Sequence, residues 1–212
     1  MKKALVIILS ILSFASCNKI NNIYNTRQNF PNKVGYQWTY RLINSNIDSI
    51  DTVEVEIVGQ GTLPNGDSAN IWKYTYKYSF MTYIDSVWVS SINNDVRFYD
   101  SDNPCSTCPN QMPFERLRYV LPLSVGKSWY TTAPYGDTTK VLDQENVSVP
   151  MGTFTNVFRL SKFRGPVTNS WTTDTIYFKE HIGLVKFRQA EYSLGPVIGN
   201  GIWELIGYNF GQ

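Results

Sequence analysis

The sequence predicts an all-β protein: antiparallel meanders in two internally duplicated halves, forming a sandwich or a curved, half-barrel sheet. Three observations carry that expectation. Aromatic residues make up 15% of the 212-residue chain, with 14 Tyr, 11 Phe and 6 Trp, and the plentiful Val, Ile and Thr beside them suit half-buried pleated surfaces. Apolar residues recur at every second position over most of the body, as they do in a strand with one face inward. Finally, one short stretch is stated twice. Residues 30–40 read FPNKVGYQWTY and residues 121–131 read LPLSVGKSWYT, so that Pro31, Val34, Gly35 and Trp38 return as Pro122, Val125, Gly126 and Trp129. In each copy the proline fixes φ, the Val-Gly pair turns the chain, and the tryptophan opens a strand by burying a large apolar area.

The first sixteen residues are an address. Lys2 and Lys3 precede the apolar run Ala4–Leu12, which is far short of the roughly 20 residues that span a bilayer and has the shape of an export signal. Phe14-Ala15-Ser16-Cys17 resembles a bacterial lipobox, in which the cysteine is acylated on sulfur and becomes the new N-terminus. Ordinary cleavage after Ala15 is the alternative. The lipobox reading makes 1–16 a lipoprotein signal peptide and Cys17 the lipidation site. Residues 17–29, polar and without period, become a flexible tether. Loss of Lys2 and Lys3 leaves 17 basic and 17 acidic residues, so no basic patch for nucleic acid is expected. The partner expected at this end is a membrane, reached through the lipid. Asn18 is not the aspartate that resembles an inner-membrane retention signal, which favours the outer membrane and leaves the face open.

The body divides into a first β repeat (30–100), a linker loop (101–113) and a second β repeat (114–212). In the first, strands are expected at Tyr36–Leu42, Asp51–Val58, Ile71–Tyr78, Tyr83–Val89 and Asp95–Tyr99. Val53, Val55 and Ile57 share one face there, opposite Glu54 and Glu56, and Pro64-Asn65-Gly66 reverses the chain. Two more blocks support duplication. Gly61–Asn65 matches Gly152–Asn156, and Asp85–Phe98 aligns without gaps on Asp174–Phe187. Two meanders of about five strands each, with a last strand at Ile202–Phe210, complete the expected body.

Val147–Phe154 has the form V-x-V-P-x-G-T-F, and Ile182-Gly183-Leu184-Val185-Lys186 follows later. Together with the lipobox, these motifs resemble β-rich bacterial cell-envelope lipoproteins, in which the GTF turn leads into a strand, here Asn156–Phe163. The resemblance implies a fold and a cell-envelope location. It supplies no activity, because its motifs are turn and core residues.

Few residues offer chemistry. Cys105 and Cys108 form a C-x-x-C between Pro104 and Pro109, in the linker of an all-β chain. A redox site wants such a pair at a helix N-terminus, and zinc wants four ligands. The reading taken is a small loop disulfide, with redox activity, metal binding and free thiols as the alternatives. His181, the one histidine, is expected in a solvated turn, and adjacent Glu180 points elsewhere. No nucleophile elbow, carboxylate dyad or phosphate loop stands out, so no catalytic residue, metal site or cofactor is expected. Trp72, Tyr74, Tyr76 and Tyr78 share one strand face. They either pack against the second half or form a platform for an apolar or sugar-like ligand. The function expected is therefore a non-catalytic binding or scaffolding module for an envelope protein or such a ligand. The alternative is a hydrolase-type enzyme whose site assembles only in three dimensions.

Overall fold

The structure, a computed structural model, describes residues 29–44, 50–100, 111–131, 137–167, 170–193 and 197–211. Cys17, Cys105 and Cys108 lie outside them, as do the expected signal peptide and the expected tether up to residue 28. The described chain forms twelve strands: β1 (Gln37–Asn44), β2 (Ile50–Thr62), β3 (Ser68–Lys77), β4 (Thr82–Ile92), β5 (Asp95–Asp100), β6 (Glu115–Val120), β7 (Ser128–Tyr130), β8 (Thr138–Val149), β9 (Gly152–Val167), β10 (Ser170–Lys179), β11 (Gly183–Ser193) and β12 (Val197–Asn209). They join in one antiparallel sheet in the order β6-β5-β4-β3-β2-β1-β12-β11-β10-β9-β8-β7. Each half is thus a meander of six strands, where the sequence suggested five and a final strand. The halves share a single sheet, so the sandwich alternative is not realised.

That sheet curls into a nearly closed barrel. Phe30, just ahead of β1, shows the curvature. Its ring lies 5.9 Å from Trp72 on β3, Phe98 on β5, Tyr119 on β6 and Phe178 on β10, which a flat sheet could not bring together. The two free edges, β6 and β7, meet through side chains. Trp129 donates its indole N–H to the Arg118 carbonyl at 2.8 Å, and Arg118 donates to the Tyr130 carbonyl at 3.1 Å. The alternating residues Val53, Val55 and Ile57 point inward and are fully buried, with Val141, Leu160, Ile176 and Val185 from the other half. The outer wall carries cross-strand ion pairs such as Lys77–Glu54, Lys73–Glu56 and Arg159–Asp143, which suits water rather than hydrocarbon.

The repeated stretch is built the same way twice. Gly35 and Gly126 both take left-handed φ, 90° and 88°, a conformation that favours glycine. Gly35 N–H donates to the Ile57 carbonyl and Gly126 N–H to the Val141 carbonyl; Ile57 N–H returns to Tyr36 and Val141 N–H to Lys127. The residue before each proline, Phe30 or Leu121, is buried, and Val34 and Val125 are both exposed. Asp85–Phe98 and Asp174–Phe187 also correspond, spanning the β4–β5 and β10–β11 hairpins. The third repeated block does not. Gly61 lies in the last two residues of β2 and Gly152 begins β9, because the segment from Gly126 to Val141 is shorter than that from Gly35 to Ile57.

The Val147–Phe154 and Ile182–Lys186 motifs lock the Trp38 end of the barrel. Trp38 donates its indole N–H to the Ile182 carbonyl at 2.7 Å. Next to it, Gly183 has φ 93°, and a Cβ there would meet the Pro31 ring at 3.2 Å. The I-G-L-V-K turn is therefore the seat for the Pro-x-x-Val-Gly-x-x-Trp motif. The β8–β9 turn of the V-P-x-G-T-F motif reaches β12, where Met151 N–H meets the Leu205 carbonyl at 3.3 Å.

Candidate functional site

Inward-facing residues change character along the barrel. At the Trp38 end they are apolar. Toward the other end, one cross-strand row reads Thr139 on β8, Lys162 on β9, Asp174 on β10 and Gln189 on β11. From β6 a bulge opposite Phe98 and Tyr99 adds Arg116. Of these, Lys162, Asp174, Gln189 and Arg116 line a cleft of about 320 Å³ together with Tyr74 and Tyr76 on β3, Phe187 on β11 and Trp203 on β12, while Thr139 is fully buried behind them.

Its charges are mostly paired. Arg116 holds Asp85 at 2.9 Å and Asp100 at 2.6 Å. Lys162, 4% exposed, holds Asp137, 0% exposed, at 2.9 Å, and also donates to the Arg116 carbonyl at 3.1 Å. Arg164 approaches the same Asp137 oxygen at 3.4 Å. Asp174 is the exception. Its side chain lines the cleft, the residue is 7% exposed, and its Oδ1 has no hydrogen-bond partner. Burial raises the carboxyl's pKa, against the pull of Lys162 and Arg164.

A raised carboxyl pKa means that the folded chain keeps the proton to higher pH than the unfolded chain. Asp174 therefore weakens the fold as pH rises through the window between its unfolded value, about 3.9, and its higher folded value. Below that window the cost of ionising it is absent. Asp174→Leu removes a buried, unpaired acceptor and should stabilise the protein by about 1–3 kcal/mol at neutral pH. Thermal melts at a series of pH values check this: the gain should shrink as the pH falls below the window. A variant that melts lower than the parent at pH 7 would contradict it.

The aromatic wall has its own order. Trp203 meets Tyr76 at 5.8 Å and Phe187 at 5.9 Å, both edge-on. Burial lifts the Tyr76 phenol to about 12 and the Tyr74 phenol further, so both stay neutral hydroxyls near pH 7. The four-ring stripe along β3 and just past its end is divided among three tasks. Trp72 belongs to the core, stacked on Trp38 at 4.9 Å with its indole N–H on Asn32 Oδ1 at 2.8 Å. Tyr74 and Tyr76 line the cleft. Tyr78 continues the ladder outward, stacking between Tyr76 and the exposed Phe80.

His181 sits in the turn after β10, exposed and with φ 67°, at the end of β10 away from Asp174. Among the described residues no group of His, Cys, Asp and Glu could hold a metal. A shallow groove of about 730 Å³ at the Trp38 end is lined by Asn32, Asn70 and Lys33 among others. Its two amides bond to each other and to Trp72, leaving them little to offer a ligand.

Arg116, Lys162, Arg164, Asp174 and Trp203 were not singled out from the sequence. A signal existed for two of them. Asp174 shares a face with Ile176 and Phe178, and Lys162 shares one with Leu160, so strict alternation puts a charge inward in each strand. Arg116 escapes that logic because a bulge turns it.

No protein-family profile matches the chain, and no curated protein matches it. Solved structures do. A candidate lipoprotein from Parabacteroides distasonis aligns with a TM-score of 0.54 at 12% identity, over 85% of this chain and 97% of that one. A candidate exported protein with a YmcC-like fold from Bacteroides fragilis aligns with a TM-score of 0.54 at 14% identity, over 85% of this chain and 98% of that one. At such identities the likeness is one of fold: this chain carries the same all-β architecture as those two proteins.

Proposed function

We propose that the protein is a cell-envelope lipoprotein, anchored through acylated Cys17 in the outer membrane. Its barrel binds an apolar or sugar-like ligand at the open end without catalysis. The observation that carries this reading is the cleft itself, in which Tyr74, Tyr76, Phe187 and Trp203 face Arg116, Lys162 and Asp174 across about 320 Å³. Ligand sites commonly occupy roughly 300–1,000 Å³, with mainly apolar walls and a few convergent polar groups. A hydrolase would want a second carboxylate or a histidine open to the substrate beside Asp174. Asp137 is fully buried and tied to Lys162 and Arg164, and His181 lies elsewhere. The fold shared with a candidate lipoprotein and a candidate exported protein supports the envelope location.

The cleft reading is tested with Nile red, a neutral apolar dye whose emission brightens and shifts to the blue on leaving water. Titration of the mature protein should give saturable binding, weakened about tenfold in Trp203→Ala by loss of ring contact. No saturable signal, or one untouched by the change, would refute it. Anchoring is tested separately. Cys17→Ser should move the protein from the membrane to the soluble fraction, and mass spectrometry should find acyl chains on the native N-terminus. An unmodified chain beginning at Ser16 would refute the anchor.

A further inference from the structure

The cleft's polar wall says more about its occupant than its shape does. Arg116 is held by two carboxylates, and Asp137 is shared by Lys162 and Arg164. A free anion would compete with aspartates already in place, and a free cation would meet three basic side chains. Strong charge of either sign is thus disfavoured.

Among the described residues, three buried oxygens at this end have no partner, Asp137 Oδ1, Thr139 Oγ1 and Asp174 Oδ1, and of those residues Asp174 is the one that lines the cleft. The Asp174 carboxyl lines the cleft with its Oδ1 buried and without a partner, and buried polar atoms are ordinarily paired. An ionised carboxylate there asks for a donor, and a protonated one offers a proton to an acceptor. A hydroxyl serves both, whichever form is present. Opposite lie Tyr74, Tyr76 and Trp203, rings with apolar bodies and polar tips. A molecule that puts hydroxyls on one side and C–H bonds on the other fits between the walls, and a sugar ring has that layout.

We infer that the cleft takes a neutral carbohydrate, with one ring packed against Tyr76 and Trp203 and a hydroxyl on Asp174. The inference rests on the cleft reading above and narrows it to a ligand class. Gln189, on the Asp174 row, is placed to bond a further hydroxyl. The volume sits at the low end of the range for ligand sites, which suits a terminal or short segment of glycan. Asp85 and Asp174, identical in the two repeats, both serve this end of the barrel: one holds Arg116, the other faces the ligand.

The test uses the mature protein on a panel of immobilised neutral and acidic glycans, followed by calorimetric titration with the best neutral glycan. Binding of at least one neutral glycan is expected. Affinity should fall about tenfold or more in Asp174→Leu, the loss of a buried hydrogen bond to the ligand, while the melting temperature holds or rises. A structural role for Asp174 would lower both together. Binding of acidic glycans only, no glycan binding at all, or equal affinity in Asp174→Leu would each overturn the inference. The Nile red titration separates the two claims. Dye binding without neutral-glycan binding defeats the carbohydrate inference alone, whereas failure of both removes the cleft as a ligand site.

Discussion

Trp38→Ala is expected to cost roughly 3–5 kcal/mol, the range for deleting a large aromatic from a packed interior. The ring is 2% exposed, stacks on Trp72 at 4.9 Å, and donates its indole N–H to the Ile182 carbonyl at 2.7 Å. Truncation leaves a void beside Phe210 and Tyr36, whose rings lie 5.4 Å and 6.4 Å away. It also removes the partner of a carbonyl from the other half of the chain. A stable domain has about 5–15 kcal/mol in total, so the loss should be visible as poor expression. For a body of this size the melting temperature should fall by roughly 6–20 °C. Trp129→Ala should also destabilise, since that ring is buried at the seam and bonds the Arg118 carbonyl. A Trp38→Ala protein that melts like its parent would show that the motif does not hold the barrel together.

Lys162→Met is expected to be nearly as damaging for a different reason. Asp137 is fully buried, and Lys162 at 2.9 Å is its nearest cation. Arg164, 3.4 Å away and partly exposed, cannot replace it. Breaking a buried pair by removing one partner costs about 3–5 kcal/mol, because the charge left behind has lost both water and counter-ion. Replacing both partners with apolar residues is often neutral, so Lys162→Met with Asp137→Leu should recover most of the loss. Denaturant melts of the two singles and the double measure this coupling. If the double variant is as unstable as the sum of the singles, the pair is not the cause.

The parts of this fold legible in the sequence are those where local chemistry and global position agree. Gly35 and Gly126 need a left-handed turn, Phe30 and Leu121 need burial, and the spacing of Trp38 and Trp129 from those turns fixes both rings inward. Gly61–Asn65 and Gly152–Asn156 misled for a physical reason. Matching letters fell on a strand end and a strand start, because a shorter segment in the second half shifted the hairpins. The stripe Trp72–Tyr78 was legible as one face, but its division into core, cleft and outer ladder depends on how the barrel curls. The cleft draws Arg116, Lys162, Asp174 and Trp203 from four strands, and the closure that brings them together is a long-range property. Local periodicity cannot report it.

The central claim is that the open end of the barrel is where a ligand goes, and tryptophan indole N–H resonances locate this directly. In two-dimensional nitrogen–proton spectra of the mature protein titrated with Nile red, the Trp203 indole should shift strongly, together with the backbone amides of Tyr76, Arg116 and Gln189. The Trp38 and Trp129 indoles, committed to the Ile182 and Arg118 carbonyls, should scarcely move. Shifts confined to the exposed Phe80, Met81 and Ile84 of the β3–β4 hairpin, with Trp203 unmoved, would contradict the account and place binding on the outer surface.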